Sequence, residues 1–284
     1  MLFRSGHFFS LGDTTDTNKK YELIDIIKNN NIDIVHSEEI LEGFESFNKI
    51  PLPLLNQLYS NDRTWRIIET CHNVWFNPQT HKKFNPDAYC LVTPFHLHKT
   101  FENESPHKFL LEYPIENKTT EILKEFEIYD KFNQVPLIKK IQVREELGLD
   151  IFKTHVLNIG LWTSGKNQGE GVEVAKQLIE SNPNIQFHFI GNQADNFRFY
   201  WEPLMKDFPS NCTWWNERKD VENFYQAADL FLFTSRGTAN NKETSPLVIR
   251  EAISFNLPSL IYNLPVYLDM YSKYQNIEYL NFED

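Results

Sequence analysis

The carboxyl-terminal half of the chain repeats one pattern five times: a short, mostly apolar run, then an amphipathic stretch. The runs are HVLNI (155–159), IQFHFI (185–190), CTWW (212–215), DLFLFT (229–234) and SLIY (259–262). A strand buried on both faces reads as a near-continuous apolar run, whereas a half-exposed strand alternates. The stretches near 169–181, 196–207, 220–228 and 246–255 have helical period and supply the covering layers. This pattern constrains the half to a parallel sheet with helices on its faces. The first half carries a weaker version. A helix in YELIDIIKNNN leads into IDIV (32–35), and WRIIET (65–70), AYCLV (88–92) and FLLEY (109–113) read as further strands. Between the halves the chain is charged, helical in period and without a strand. The expected organisation is an amino-terminal Rossmann-like domain at 1–116, linker helices at 117–150 and a carboxyl-terminal Rossmann-like domain at 151–284.

Composition supports two such domains. With 284 residues, 41% hydrophobic and 24% charged, the chain is long enough for two modest cores. A net charge of −11 argues against a nucleic-acid backbone as the main partner, because that partner requires a basic surface stripe. Cys71, Cys90 and Cys212 are odd in number and widely spaced, which reads as reduced thiols in a cytoplasmic setting. No apolar run approaches the roughly 20 residues of a membrane-spanning helix. The opening MLFRSGHFF is too short and polar for a signal peptide. The expectation is a cytoplasmic protein without a transmembrane segment, with peripheral membrane contact left open.

The stretch KETSPLVIREAISFNLPSLIY (242–262) carries the chemistry. Ser245 reads as a helix N-cap and Pro246 as the first helical residue, where its missing N–H costs nothing. Asn256, followed by Leu257 and Pro258, reads as the stop. Glu243 then lies in the loop ahead of the helix, and Glu251 in its second turn, on a polar edge with Arg250 and Ser254. The loop follows the carboxyl end of DLFLFT, which is where open α/β sheets bind ligands. The helix N-terminus offers N–H groups to a phosphate. Carboxylates beside it suit hydroxyl groups, and a nucleotide sugar presents both. On spacing alone, a favourable dipole contact for Glu243 and a solvated surface position for Glu251 are the better account of the pair.

Five ordered segments change that balance. ETSPLVIREAISFNLPSLIY resembles the signature of retaining GT-B glycosyltransferases of the glycosyltransferase 4 type, in which two Glu residues are separated by seven positions. DVENFYQAADLFLFTS, VLNIGLWTSGKNQ, REELGL (144–149) and FHFIGN (187–192) are similar to other segments of that family, in its order. NIDIVHSEE, RIIETCHN and FLLEYPIEN resemble its amino-terminal domain more weakly. The resemblance implies a GT-B-like fold: two Rossmann-like domains with parallel sheets facing a cleft. It also implies transfer of a sugar from a nucleotide-sugar donor with retention of anomeric configuration, without a metal or other cofactor. The acceptor, whether glycan, lipid-linked or protein, is not implied.

Roles follow residue by residue. Glu251 matches the acidic residue that binds the ribose. Glu243 matches the one facing the transferred sugar, with backbone N–H groups of Thr244, Ser245 and Leu247 around Pro246 near the sugar and diphosphate. Lys166 matches the cation on the leaving diphosphate, and the resemblance also puts Gly160 and Gly191 among the nucleotide-sugar-binding residues. His72 matches a histidine that meets the donor sugar. His36, His81, His96 and His98 read as surface or core residues. The family usually carries Arg where this chain has Leu161, and Arg236 or Lys242 are the candidates to replace it. The family's first strand and Gly-rich loop find no counterpart before Tyr21, and the chain stops at YLNFED where the family continues. The amino-terminal domain is therefore expected to be shortened, and the chain to be a fragment or a reduced homologue.

Two other readings compete. GLWTSGKN (160–167) nearly matches the phosphate-binding loop of NTP-using enzymes, but Asn167 stands where the Mg²⁺-binding hydroxyl belongs. The other keeps the fold and drops the chemistry: an inactive or incomplete sugar-nucleotide-binding domain.

Overall fold

The computed structural model describes residues 17–38, 40–41, 50–72, 76–102, 107–112, 115–126, 134–236 and 243–281. The chain divides into two compact units, Met1–Glu112 and Tyr113–Asp284.

The first unit runs α1 (Thr17–Asn29), β1 (Ile34–Ser37), α2 (Leu52–Leu58), β2 (Arg66–Cys71), α3 (Pro78–His81), β3 (Ala88–Leu91), a π-helical turn at His96–Thr100, and β4 (His107–Leu110). Its sheet is wholly parallel in the order β1-β2-β3-β4. Right-handed crossovers that always step in one direction put their helices on one face. That face carries the core, where Leu23, Ile24 and Ile27 of α1 meet Leu54, Leu55 and Leu58 of α2 over Ile67. On the other face Ile34 and Phe109 stay more than half exposed. Inside the core Glu69 is fully buried and pairs with Lys82 at 2.6 Å, equally buried, while accepting from the Tyr59 hydroxyl. One buried carboxylate thus ties β2 to the end of α2 and to the chain after α3. The strands sit within three residues of their expected bounds, and α2 and α3 had no counterpart in the sequence reading.

The second unit runs α4 (Lys118–Glu125), α5 (Leu137–Leu147), β5 (Thr154–Ile159), α6 (Gln168–Ser181), β6 (Ile185–Ile190), a 3₁₀ turn, α7 (Arg198–Lys206), β7 (Cys212–Trp214), α8 (Val221–Ala227), β8 (Leu230–Phe233), α9 (Leu247–Ser254), β9 (Ser259–Tyr262), α10 (Pro265–Tyr271) and β10 (Ile277–Leu280). All five expected strands form, and β10 adds a sixth at the edge. The order is β10-β9-β8-β5-β6-β7, all parallel. From β5 the chain steps outward to β6 and β7, then returns past β5 to β8 and steps the other way. Right-handed crossovers in opposite directions place helices on opposite faces. The reversal opens a crevice at the carboxyl ends of β5 and β8.

The expected linker helices pack within this unit. Arg144 of α5 donates to the Ala227 carbonyl at 2.8 Å and to Asp229 at 2.7 Å, and Lys140 reaches Ala228 and Asp229. The Thr119 hydroxyl of α4 donates to the Ser254 carbonyl at 3.5 Å, at the end of α9.

A buried relay crosses the same unit. Trp215 Nε1–H donates to His188 Nδ1 at 3.0 Å, His188 Nε2 lies 2.8 Å from His155 Nδ1, and His155 Nε2 lies 2.8 Å from the Asp150 carbonyl. An indole only donates, so neutral His188 carries its proton on Nε2, and neutral His155 carries its own on Nε2. Every group is satisfied with both rings uncharged. Burial, then the neighbouring His155 and Arg144, lower the His188 pKa to about 3, and burial lowers that of His155 too. Asp229 stays ionised in this window, because hydrogen bonds and the Lys140 and Arg144 cations outweigh its burial and lower its pKa. The sign follows from linkage. The unfolded chain binds protons below about pH 6.5 that the native rings refuse, so stability is lost as pH falls from there towards the folded value. His188 alone should cost about 2 kcal/mol between pH 7 and pH 5. Denaturant unfolding at both pH values should show this loss for the native chain and a smaller one for His188→Gln. Equal losses would remove the relay as its source.

Candidate functional site

The crevice at the carboxyl ends of β5, β6 and β8 holds most of the residues singled out in the sequence. The chain leaves β5 through Gly160 and β6 through Gly191, where the two backbones touch. A Cβ on Gly191, which has φ +147°, would lie 1.9 Å from the Gly160 carbonyl oxygen. The contact is closed by Gly160 N–H to Ile190 O at 2.9 Å and Trp162 N–H to Asn192 O at 3.0 Å. After Gly160 the chain turns on Thr163, whose carbonyl accepts from the N–H groups of Lys166 and Asn167. Asn167 takes the left-handed conformation, φ 56°, and α6 starts beyond it.

The turn aims Lys166 at the end of β8. Its ammonium pairs with Glu243 and lies 5.5 Å from the centre of the Phe233 ring. The same Glu243 oxygen accepts from the Ser235 hydroxyl at 2.7 Å, and the Thr234 hydroxyl donates to the Lys166 carbonyl at 3.1 Å. Tyr267 of α10 is fully buried nearby. Its phenol pKa is pushed well up, by burial first and then by the Glu243 charge. Lys166 and Glu243 are about 30% and 15% exposed, so the pair can still be reached by a ligand that exchanges for either partner.

Helix α9 starts at Leu247, with Pro246 as its cap residue and no side-chain cap bond. Ser245 therefore does not cap it; its hydroxyl accepts from Arg250 Nε at 3.3 Å instead. Arg250 and Ser254, expected on a polar edge, are buried. The hydroxyl of Ser245 is taken up by a buried guanidinium, which leaves the first N–H groups of α9 without a side-chain acceptor from that position. Glu251 stands in the second turn and is exposed, and one of its oxygens accepts from the buried Tyr225 hydroxyl at 2.7 Å. Burial, then the Glu251 charge, push the Tyr225 pKa well up, so this phenol is a fixed donor. Asn256 has φ 49° at the helix end, as its stop role requires.

A third cluster lies at the ends of β8 and β9. Arg236 follows Ser235 directly, stacks over the Tyr262 ring at 4.4 Å, donates to the Tyr262 hydroxyl and pairs with Glu170 at 2.8 Å. The Tyr262 hydroxyl in turn donates to Glu170, in the first turn of α6. Leu161, where a cation was expected, is about 39% exposed. Lys242 falls outside the described residues.

The second unit thus gathers Gly160, Lys166, Gly191, Arg236, Glu243, Thr244, Ser245, Pro246, Leu247 and Glu251 around the strand ends and the start of α9. His72 belongs to the first unit, where it follows β2 directly and is half-buried. Sequence reasoning missed Ser235, Tyr225, Tyr262, Tyr267 and Glu170. Glu170 had one visible signal, an acidic residue in a helix first turn just after the Gly-Lys-Asn turn. The tyrosines look like ordinary core residues in their own segments. Among the described residues, no group of three or more His, Cys, Asp or Glu side chains is placed to hold a metal ion. No helix among them is long and apolar enough to cross a membrane.

Two units with parallel sheets, the second reversing direction beside β5, define an α/β protein of the GT-B class. Solved structures share this fold: Anabaena HepE, determined in complex with UDP, superposes with a TM-score of 0.64 at 11% identity, covering 89% of this chain and 65% of that one. A glycosyltransferase from Rickettsia africae gives 0.65 at 16% identity, covering 99% and 69%. WaaG, a glycosyltransferase involved in lipopolysaccharide biosynthesis, gives 0.57 at 16%, covering 94% and 70%. The chain therefore spans about two thirds of the length of these proteins. Residues 140–278 match the family described as glycosyl transferases group 1, and the segment they span belongs to that family. No curated protein sequence matches the chain.

Proposed function

We propose that the chain binds a nucleotide-sugar donor in the crevice of its second unit and transfers the sugar with retention of anomeric configuration. The observation that carries this is the joined set Lys166, Glu243 and Ser235 at the entrance to α9, with Glu251 one turn further on. A diphosphate is met by Lys166 and by the first N–H groups of α9, which the Ser245 side chain does not cap. When it arrives it takes Lys166 from Glu243, and the released carboxylate accepts hydroxyl hydrogen bonds from the sugar. Glu251, held by Tyr225 through one oxygen, offers the other to the ribose. As the glycosidic bond breaks, negative charge grows on the leaving diphosphate, where a preorganised cation is most effective. Protein groups perform this neutralisation in the proposed mechanism, without a metal. The acceptor class is left to experiment.

Calorimetric titration of UDP, GDP and ADP, and then of their sugars, tests the reading; UDP-sugars come first because HepE has been determined with UDP-glucose. Glu251→Gln should weaken binding of the bare nucleoside diphosphate about tenfold, the loss of one charge-assisted hydrogen bond. Glu243→Gln should weaken the nucleotide sugar more than the bare diphosphate. Unchanged affinity in the first variant would remove Glu251 from the site, and equal losses in the second would contradict the division of labour. Donor binding without product across an acceptor panel would favour a binding domain over an enzyme.

A further inference from the structure

We propose that the buried pair of Glu69 and Lys82 is a positioning device of the first unit: it holds the loop that carries His72, and the chain beyond β1, in one arrangement, and adds little to the unit's stability. The device is read from the first unit alone. Only its effect on turnover rests on the transfer reading above.

The pair stands where two apolar clusters of the unit meet. On the core face of β2, Ile67 belongs to the cluster of α1 and α2, and Cys71 to a second cluster with Ile40, Phe76, Tyr89, Leu91 and Phe101. Glu69 lies between them on the same face, two residues from each. Two other segments cross this seam. Beyond β1, Ile40 enters the second cluster and Leu41 packs on the first; beyond β2, Phe76 enters the second and Phe84 packs on the first. The crossings converge on one carboxylate. Oε2 of Glu69 accepts from Lys82 Nζ at 2.6 Å, and Oε1 accepts from the Leu41 N–H at 3.3 Å and from the Tyr59 hydroxyl.

Glu69 and Lys82 are 13 positions apart, so their pairing closes the stretch between them into a loop. His72 leaves β2 inside it. Within the loop α3 has only four residues, too few to hold itself as a helix. Its polar bonds are local: the Asn77 N–H donates to His81 Nδ1 and the Gln79 N–H to Asn77 Oδ1, both at 2.9 Å. The ion pair is what fastens the residue after α3 to the sheet. These segments follow the carboxyl ends of β1 and β2, the edge from which open α/β sheets present ligand-binding loops.

The energetics point to order rather than stability. Both charged groups are fully buried, which is expensive, and a neutral pair of similar volume is often as stable. Burial raises the Glu69 carboxyl above its ordinary range, although Lys82, Tyr59 and the Leu41 N–H all act to lower it. Its partners therefore do not fully offset the loss of water. What they supply is direction. Apolar contacts are non-directional and would let a short loop shift across the seam, whereas a carboxylate shared by three donors selects one arrangement.

The test compares the full native chain with Glu69→Gln/Lys82→Met, which removes both charges at nearly constant volume, and with Lys82→Met, which strands the carboxylate. The double variant should melt within about 4 °C of the native chain, and the single variant about 10 °C or more below it. Hydrogen exchange followed by mass spectrometry should show the amides of Phe76 to Lys82, and of Leu41, exchanging about tenfold faster or more in the double variant, with those of β2 and β3 unchanged. Its affinity for whichever of UDP, GDP and ADP the native chain binds best should be unchanged, while turnover falls severalfold. A double variant as unstable as Lys82→Met, native exchange rates at Phe76 to Lys82, or a loosened loop with full turnover would each overturn the proposal. A native chain without transfer would overturn the transfer reading instead, and the melting and exchange results would still decide whether the pair sets the loop.

Discussion

Replacing Lys166 by alanine is expected to slow sugar transfer by about 10²- to 10³-fold, the usual cost of removing one preorganised group that stabilises developing charge. The same change should cost about 1 kcal/mol of stability or less, because the pair with Glu243 is partly exposed and such pairs contribute little. That corresponds to a melting shift of about 2–4 °C in a unit of this size. The contrast is the point of the measurement. Lys166 also covers the Phe233 ring, so the alanine variant loses packing as well as charge; Lys166→Met keeps the stem and isolates the charge. Both variants should bind nucleoside diphosphate weakly and bind the free nucleoside as the native chain does. Full turnover with an unchanged melting temperature would remove Lys166 from the leaving-group role. Lys166→Arg should restore binding more fully than turnover, because a guanidinium on the same backbone position places its donors differently from an ammonium.

Gly191→Ala should be among the most damaging single-methyl substitutions in the second unit. The added Cβ would stand 1.9 Å from a carbonyl oxygen of the neighbouring strand end, and that obstacle is backbone rather than a movable side-chain tip. The conformation, φ +147°, is itself one that L-residues rarely adopt. Strain and overpacking each cost roughly 1–3 kcal/mol, so a total near 3 kcal/mol or more is expected. Thermal unfolding should then fall by about 6–12 °C. Gly148→Ala is the matched control. Gly148 also has a positive φ, +69°, but nothing lies within 4 Å of its would-be Cβ, so it should lose only about 1 kcal/mol. Comparable melting temperatures for the two variants would show that β5 and β6 can separate at their ends, and the description of Gly191 as a forced close approach would be wrong. Because Gly191 also accepts from Trp214 Nε1 at 3.0 Å, strand separation there should weaken nucleotide binding as well.

The two variants mark different kinds of legibility. Lys166 was singled out through the resemblance of VLNIGLWTSGKNQ to a family segment, a match that lies within the turn after one strand. The glycine was readable as a strand-end residue, but the reason only glycine fits is its contact with Gly160, 31 positions earlier, across a strand pair that is formed in three dimensions.

Alone, the sequence determined the parallel sheets, through apolar runs too continuous for half-exposed strands. It also determined where the second unit's five expected strands lie along the chain, and the loop and helix that carry Glu243 and Glu251. These are local matters: a run of apolar residues records its own burial, and helix and turn signals act within a few positions. Even there local chemistry misled at Ser245, a good cap by type, because the buried Arg250 takes its hydroxyl. The tertiary structure alone decided the pairings. Lys166 meets Glu243 across 77 positions, Tyr262 meets Glu170 across 92, and Tyr225 meets Glu251 across 26. Those meetings depend on β8 returning to the far side of β5, so that the ends of β5, β8 and β9 become neighbours. No periodicity carries that information. Strand order is set by the summed burial of all the crossing helices, whereas each charged or phenolic side chain at the site is too small a part of that sum to announce its partner.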